Sequence, residues 1–287
     1  MGDSTRRGLF GAALFVASVV TCGFLALPLV AIFVHVPPRE LVAQLGNPVV
    51  TDALLVSLKT TLVAQAFIVL FGTPTAYLLA TRRFRGRALF VTLVELPLVL
   101  PPAVAGIGLL AAFGRFGLLG STLDAFGVTI PFTQTAVVFA VAFVASPLYI
   151  RQAIAAFEGI DTNLVAASRT LGVGAAGTFF RVVLPLARGG LLAGEALAFA
   201  RGLGEFGATI MFAGSLRKVT QTLPLAIYAE FDVDFEVTLA ISAVLIVISG
   251  ALLLSLKLAS SWQPSRQPSP LPRSANAPAL SVVSPVP

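Results

Sequence analysis

The sequence has little charge, one cysteine and one histidine, and each scarcity excludes a class of protein. Only 11% of its 287 residues are charged, against roughly 25% in an ordinary soluble domain. Cys22 has no second cysteine to form an intrachain disulfide or a cysteine metal cluster, and His35 alone is no metal-ligand set. No Gly-x4-Gly-Lys-Ser/Thr stretch occurs, so the chain has no nucleotide-binding loop of that type. What remains is 57% hydrophobic, which predicts an integral membrane protein.

Six apolar runs are long enough to cross a bilayer as helices. They cover residues 9–36, 53–80, 88–113, 132–150, 191–212 and 237–258. The first run follows Arg6 and Arg7 as a signal peptide would, but it is much longer than an apolar core of about 7 to 15 residues. We therefore expect an uncleaved helix and an all-α fold with six transmembrane helices.

The basic residues predict how these helices are oriented. Lys and Arg are enriched in the cytoplasmic loops of membrane proteins. An inside N-terminus places thirteen of them in the cytoplasm and four outside, so both termini are predicted to be cytoplasmic. The inside set is Arg6, Arg7, Arg82, Arg83, Arg85, Arg87, Arg151, Arg169, Arg181, Arg188, Lys257, Arg266 and Arg273; the outside set is Arg39, Arg115, Arg217 and Lys218.

The net charge of +6 therefore indicates contact with membrane lipid, and we expect no nucleic-acid partner. Proline and serine dominate the C-terminal end, which predicts a disordered cytoplasmic tail over 261–287 after a transmembrane domain over 1–260.

The third apolar run is interrupted by Pro97, Pro101 and Pro102. Each proline removes a backbone donor and clashes with the preceding turn, so a straight helix is not expected here. Two interpretations stay open: a kinked structural helix, or a kink that lines a pathway, since irregular backbone at membrane depth survives where it is buried in protein or faces water.

The longest loop between the runs, at about 151–190, is predicted to be cytoplasmic and structured. Asp161 suits a helix N-cap and Gly172 a left-handed helix end, so "DTNLVAASRTLG" predicts a short helix. A second short helical stretch, "AGTFFRVVLP", then runs to Pro185. The apolar face of these helices packs either on the chain's own helix ends or in a groove of another protein.

This loop resembles the cytoplasmic motif of ABC importer permeases, in which Glu-Ala-Ala, three residues, Gly, nine residues and Ile-x-Leu-Pro mark the coupling helix. The matching positions are Ala166, Ala167, Ser168, Gly172, Val182, Leu184 and Pro185, with the spacing preserved. Ala166 stands where the motif usually has Glu. The resemblance implies that these residues, together with Asp161, couple the chain to an ATPase.

A charged pair lies in the fifth run, where Arg201 and Glu205 are four residues apart and can share one helix face. An unpaired charge at the bilayer centre costs roughly 2.5 to 3.5 kcal/mol on insertion scales, and intramembrane charges mark functional sites. Either the pair belongs to a transport path, or it only fixes helix packing or a subunit interface.

The segments "ALAFARGLGEFGATIMFAG", "TQTLPLAIY" and "VELPLVLPPAVAG" resemble the molybdate permeases, over most of residues 50 to 255. Sulfate and thiosulfate permeases usually read closer to Gly-Glu-Tyr-Gly-Ser where this chain has "GEFGA". A dianionic oxyanion is repelled by a carboxylate at low dielectric. We therefore expect Glu205 to orient Arg201 without touching substrate. Pro101, Pro102 and Thr209 complete the candidate path or gate.

The resemblance implies a type I ABC importer permease in a bacterial inner membrane. It implies a homodimer with two ATPase subunits and an extracytoplasmic oxyanion-binding protein. ATP is then hydrolysed by the partner, and this chain is expected to bind no cofactor or metal and to be no enzyme. The alternatives are a sulfate, thiosulfate or tungstate permease, a secondary transporter, and an integral membrane enzyme. For an enzyme, the sequence offers no cluster of catalytic or metal-binding residues.

Overall fold

Helices make up the regular structure of the computed structural model, which describes residues 3–35, 37, 39 and 43–261. No strand occurs in these ranges, which confirms the all-α expectation. Apart from Ser261, the predicted tail lies outside the described residues.

Twelve α-helices and one π-helical turn are described in these ranges. They are α1 (Asp3–His35), α2 (Pro48–Thr81), α3 (Arg87–Val99), α4 (Pro102–Phe113), α5 (Gly120–Ala125), α6 (Gln134–Glu158), α7 (Thr162–Thr170), α8 (Ala175–Thr178), the π-helical turn (Phe179–Val183), α9 (Leu184–Leu203), α10 (Gly207–Ala213), α11 (Leu223–Glu230) and α12 (Phe235–Ser261).

Five helical segments of the described chain are long and apolar enough to cross a membrane. They are Phe10–His35, Pro48–Thr81, Gln134–Glu158, Ala175–Leu203 and Phe235–Ser255. A sixth span results if α3 and α4, which are bent by 117° at their junction, count as one. The break confirms the effect predicted for Pro101 and Pro102, because the helix stops at Val99 and resumes at Pro102.

The predicted bounds of the fifth span are wrong. The helix runs over Ala175–Leu203, whereas the apolar run was placed at 191–212. Arg181 and Arg188, whose side chains are exposed, lower the hydropathy of its first half, so hydropathy alone predicts a loop there. The apolar residues after Leu203 belong to α10, a separate short helix. Because the span begins at Ala175, "AGTFFRVVLP" is its first part and not a free-standing helix. The loop is therefore shorter than 151–190.

Side-chain caps explain where two of the spans begin. Asn47 Oδ1 accepts a hydrogen bond of 2.9 Å from Val49 N, and Pro48 occupies the first turn of α2, where its missing N–H costs nothing. Thr133 Oγ1 accepts from Ala136 N at 3.4 Å at the start of α6. These polar residues set the starts of α2 and α6, and both helices continue through an internal proline, Pro74 and Pro147.

The core forms where α2, α6 and α9 pack together. One buried cluster joins α2 and α6 to α4 and α10, and a second joins them to α9 and the π-helical turn. The crossing of α9 over α6 is close: a Cβ added to Gly190 would lie 2.5 Å from Ala156 Cβ, and one on Gly194 would lie 2.9 Å from Gln152 Cβ. Small residues on α9 thus let these two spans approach closely near the C-terminal end of α6.

Candidate functional site

Two broken helices meet in the bundle, and the meeting point contains most of the predicted path residues. The second half of one is α4 and the short continuation of the other is α10, and these two helices pack on each other. A Cβ added to Gly207 would lie 2.6 Å from Pro102 Cβ. The N-terminal ends of both half-helices therefore lie side by side.

Glu205 lies in the break between α9 and α10, and its carboxylate has two partners. Oε1 accepts a hydrogen bond of 2.8 Å from Ala208 N in the first turn of α10. Oε2 lies 2.7 Å from an Arg201 guanidinium nitrogen, and the two side chains are 1% and 33% exposed, respectively. A carboxylate is favoured at a helix N-terminus, where backbone N–H groups and the helix dipole present positive charge.

The ion pair explains why two charged residues are tolerated in so apolar a region. Glu205 ties the last turn of α9 to the first turn of α10 across the three residues where the backbone is not helical. Arg201 neutralises a carboxylate that is otherwise buried, and a buried charge is tolerated when it is paired. The break therefore has a defined geometry.

The remaining predicted path residues differ in their exposure. Pro101 and Pro102 are exposed at the bend before α4. Thr209 is 0% exposed, and its hydroxyl has no hydrogen-bond partner within the described ranges. The structure thus brings Pro102, Arg201 and Glu205 to one region, whereas Thr209 faces no open path in this conformation.

Two polar features of the bundle interior were missed in the sequence. Gln65 of α2 is 3% exposed, and neither amide atom has a hydrogen-bond partner in the part of the chain that is described. Further along α2, Thr73 Oγ1 lies 2.6 Å from Tyr149 Oη of α6. Oε2 of Glu195 in α9 is buried and unpartnered among the described residues. A lone amide or carboxylate inside an apolar run is the signal that could have found them.

Ion pairs fasten α3, the first half of the bent span, to the end of α6. An Arg87 guanidinium nitrogen lies 2.8 Å from Glu158 Oε1, and Arg151 Nε lies 3.2 Å from Glu95 Oε1. Arg87 Nε also donates to Leu79 O of α2 at 2.8 Å. No residue of α3 is fully buried, and the helix is held against the bundle by these ion pairs together with the apolar contact of Val94.

The predicted coupling segment forms α7 and a tight turn after it. Asp161 accepts a hydrogen bond of 2.9 Å from Asn163 N, which confirms it as the N-cap. Gly172 has φ +80°, a left-handed conformation that suits glycine. Ser168 Oγ lies 3.1 Å from Thr178 Oγ1 and both side chains are buried, so α7 is bound to the start of the next span.

One face of the coupling segment is left uncovered by this chain. Leu164 and Leu171 are 48% and 83% exposed, and Ala166 and Ala167 are exposed as well. Val165 instead packs on the bundle. Apolar side chains on one exposed face of a short helix are typical of a docking surface.

Val182, Leu184 and Pro185 lie inside the span that begins at Ala175. Pro185 has no N–H to bond the carbonyl four residues earlier, and the π-helical turn Phe179–Val183 ends two residues before it. These motif residues therefore sit at the base of a membrane helix and not in a loop. Among the described residues, no group of three or more His, Cys, Asp or Glu is placed to hold a metal.

Residues 68–259 match the family described as the binding-protein-dependent transport system inner membrane component. The chain belongs to this family. It is accordingly a membrane-spanning permease, a transport component and not an enzyme.

Two relatives and one solved structure extend this assignment. The molybdenum transport system permease protein ModB of Mycobacterium tuberculosis is 44% identical over 81% of this chain and 88% of its own length. The sulfate transport system permease protein CysT of Salmonella typhimurium is 34% identical over 88% and 94% of the two chains. A bacterial alginate ABC transporter, solved in complex with an alginate pentasaccharide-bound periplasmic protein, contains a chain with TM-score 0.63 at 17% identity, covering 90% of this chain and 94% of that one. The last similarity shows the shared ABC importer permease fold.

Proposed function

We propose that this permease imports molybdate, receiving the anion from an extracytoplasmic binding protein and using ATP hydrolysed by a partner subunit. The observation that supports molybdate as the substrate is the 44% identity to the molybdenum permease over 81% of the chain. The sulfate permease is 34% identical over a similar share, so sulfate is the second candidate. Tungstate, which resembles molybdate in charge and shape, is a further alternative, and its competition in uptake separates the two ions.

The exposed face of α7 is the proposed ATPase contact. Leu164, Ala167 and Leu171 would enter a groove of the ATPase, as amphipathic helices commonly do, while Ser168 holds α7 to the base of the fifth span. With Ala166 at the usual Glu position, this contact depends on apolar packing and lacks that acid. Closure of two ATPase subunits would then displace α7 and the span attached to it.

A homodimer in the bacterial inner membrane completes the proposal. The spanning window of α1 has no buried residue within this chain, which leaves its surface available to a second copy and to lipid. At the predicted outer side, a groove of about 800 Å³ runs along the end of α4, α5 and the segment before α6, with Arg115 and Asp124 in its lining. This surface is the proposed contact for the binding protein.

The path itself is proposed to pass the break between α9 and α10. Glu205 orients Arg201 there and does not touch the anion, because two negative charges repel strongly at low dielectric. Pro101 and Pro102 keep the facing backbone irregular, and Thr209 joins the path only when α10 moves. Alternatively the pair serves packing alone, which the Glu205 variant described below distinguishes.

Uptake into proteoliposomes tests the proposal. The chain is reconstituted with its ATPase and binding protein, ATP is enclosed, and labelled molybdate is added with excess sulfate or tungstate. We expect ATP-dependent uptake that resists sulfate. Uptake suppressed by sulfate would assign the second candidate, and uptake without the ATPase would refute the coupling proposal.

A further inference from the structure

An amide without a partner among the described residues lies in the interior of the bundle, near the middle of a helix long enough to cross a membrane. Gln65 is near the middle of the 34-residue α2, about 25 Å from either end at 1.5 Å per residue. Its side chain is 3% exposed, and both amide atoms are without a partner among the residues described. Burying an amide without a hydrogen bond costs free energy, so the position calls for a reason other than stability.

The amide faces the end of α9. A Cβ added to Gly202 would lie 3.3 Å from Gln65 Nε2 and 2.9 Å from Val141 Cγ1. Glycine at this position therefore lets the amide lie against the backbone of the last turn of α9. That turn also carries Arg201 and ends at Leu203, directly before the break.

The chemistry of the amide suits a passing oxyanion. A tetrahedral dianion needs hydrogen-bond donors that carry no negative charge, and a glutamine side chain offers two N–H donors. Glu205 already occupies the first turn of α10 with its carboxylate, so that helix end does not serve as the anion's donor. Gln65 instead offers a buried neutral donor against the turn that carries Arg201.

We propose that Gln65 is a specificity-determining residue that donates hydrogen bonds to the oxyanion when the end of α9 moves away from α2. The proposal rests on oxyanion import as the function. It assigns the discrimination among oxyanions partly to this chain, in addition to the binding protein. A purely structural role for the amide is the competing explanation, and stability measurements separate the two.

Gln65→Leu, which has a similar volume, is the decisive variant. It is measured in the full complex in proteoliposomes, with labelled molybdate and loaded binding protein. We expect uptake to fall about tenfold or more, because a donor to a charged group is lost. ATPase stimulation by the loaded binding protein is expected to persist, and the melting temperature of the complex to stay equal or rise, because an unpartnered amide has been removed.

Two further variants sharpen the comparison. Gln65→Asn keeps the donor but shortens its reach, so we expect intermediate uptake and a changed ratio of molybdate to sulfate inhibition. Thr60→Val is the matched control, since this hydroxyl is buried on the same helix but donates to Val56 O at 2.7 Å. We expect its uptake to remain near that of the unchanged chain.

Three results with Gln65→Leu would overturn the inference. Normal uptake by Gln65→Leu would show that no transported anion needs the amide. Reduced uptake with a lowered melting temperature would make the amide structural, and reduced uptake with lost ATPase stimulation would make it part of the coupling. If the unchanged complex takes up neither molybdate, tungstate nor sulfate, the proposed function fails and this inference fails with it.

Discussion

Gly106→Ala tests the packing of the two broken helices. The added Cβ would lie 2.6 Å from Ala208 O and 2.7 Å from Met211 Cβ, whereas carbon atoms pack comfortably at about 3.5 to 4.0 Å. Helices α4 and α10 would have to separate by about 1 Å. Overpacking of this kind costs about 1 to 3 kcal/mol, and it moves the helix whose first turn binds Glu205.

Gly108→Ala is the matched control, because a Cβ at Gly108 meets nothing within 4 Å on the same helix. Both substitutions gain about 0.5 to 1 kcal/mol from the better helix propensity of alanine. The overpacking cost is therefore the difference between the two variants. We expect the complex with Gly106→Ala to melt several degrees below the control and to import less molybdate.

The assay is thermal unfolding of the assembled complex in detergent, followed by uptake in proteoliposomes. Equal melting temperatures for the two variants would refute the close contact between α4 and α10. A lower melting temperature with full uptake would keep the contact but separate it from transport.

Three other predictions concern the break and the coupling segment. Glu205→Gln removes the charge that pairs with Arg201 at 2.7 Å, so uptake should fall at least tenfold, or about 1.4 kcal/mol, in a normally assembled complex; unchanged uptake would leave the pair a packing role only. Ser168→Ala removes the 3.1 Å contact with Thr178, a hydrogen bond worth about 0.5 to 1.5 kcal/mol. ATPase activity and uptake should then become less tightly coupled. An unchanged ratio of ATP hydrolysed to anion imported would contradict this. Leu171→Asp replaces an apolar side chain that is 83% exposed with a charged one. Co-purification of the ATPase should be lost, while the permease alone keeps its melting temperature. A lowered melting temperature would show instead that Leu171 packs within the chain.

The sequence predicted those features that depend on local chemistry. Prolines at 101 and 102 forbid a straight helix, and the chain is bent by 117° there. Asp161 and Gly172 cap a short helix, and both adopt the expected roles. The spacing of Arg201 and Glu205 predicted an ion pair on one helix face; the ion pair forms, but Glu205 lies in the non-helical break after Leu203.

Features that depend on distant segments could not be predicted in this way. Hydropathy alone placed the fifth span about 16 residues too late at its start, because exposed arginines at the base of a helix resemble a loop. The contact between Pro102 and Gly207 joins segments far apart in sequence, and neither residue type signals its partner. Gln65 carries no motif, and its significance depends on burial and on having no partner among the described residues.

The helix from Ala175 to Leu203 has 29 residues, roughly 40 Å of continuous rod. Its glycines contact α6 at two heights: Cβ atoms added to Gly190 and Gly194 would meet Ala156 and Gln152, and one added to Gly202 would meet Val141. This helix is therefore packed on α6 from its middle to its end. We expect a displacement at the end attached to α7 to be carried along the rod to the break before α10, where Arg201 and Glu205 lie.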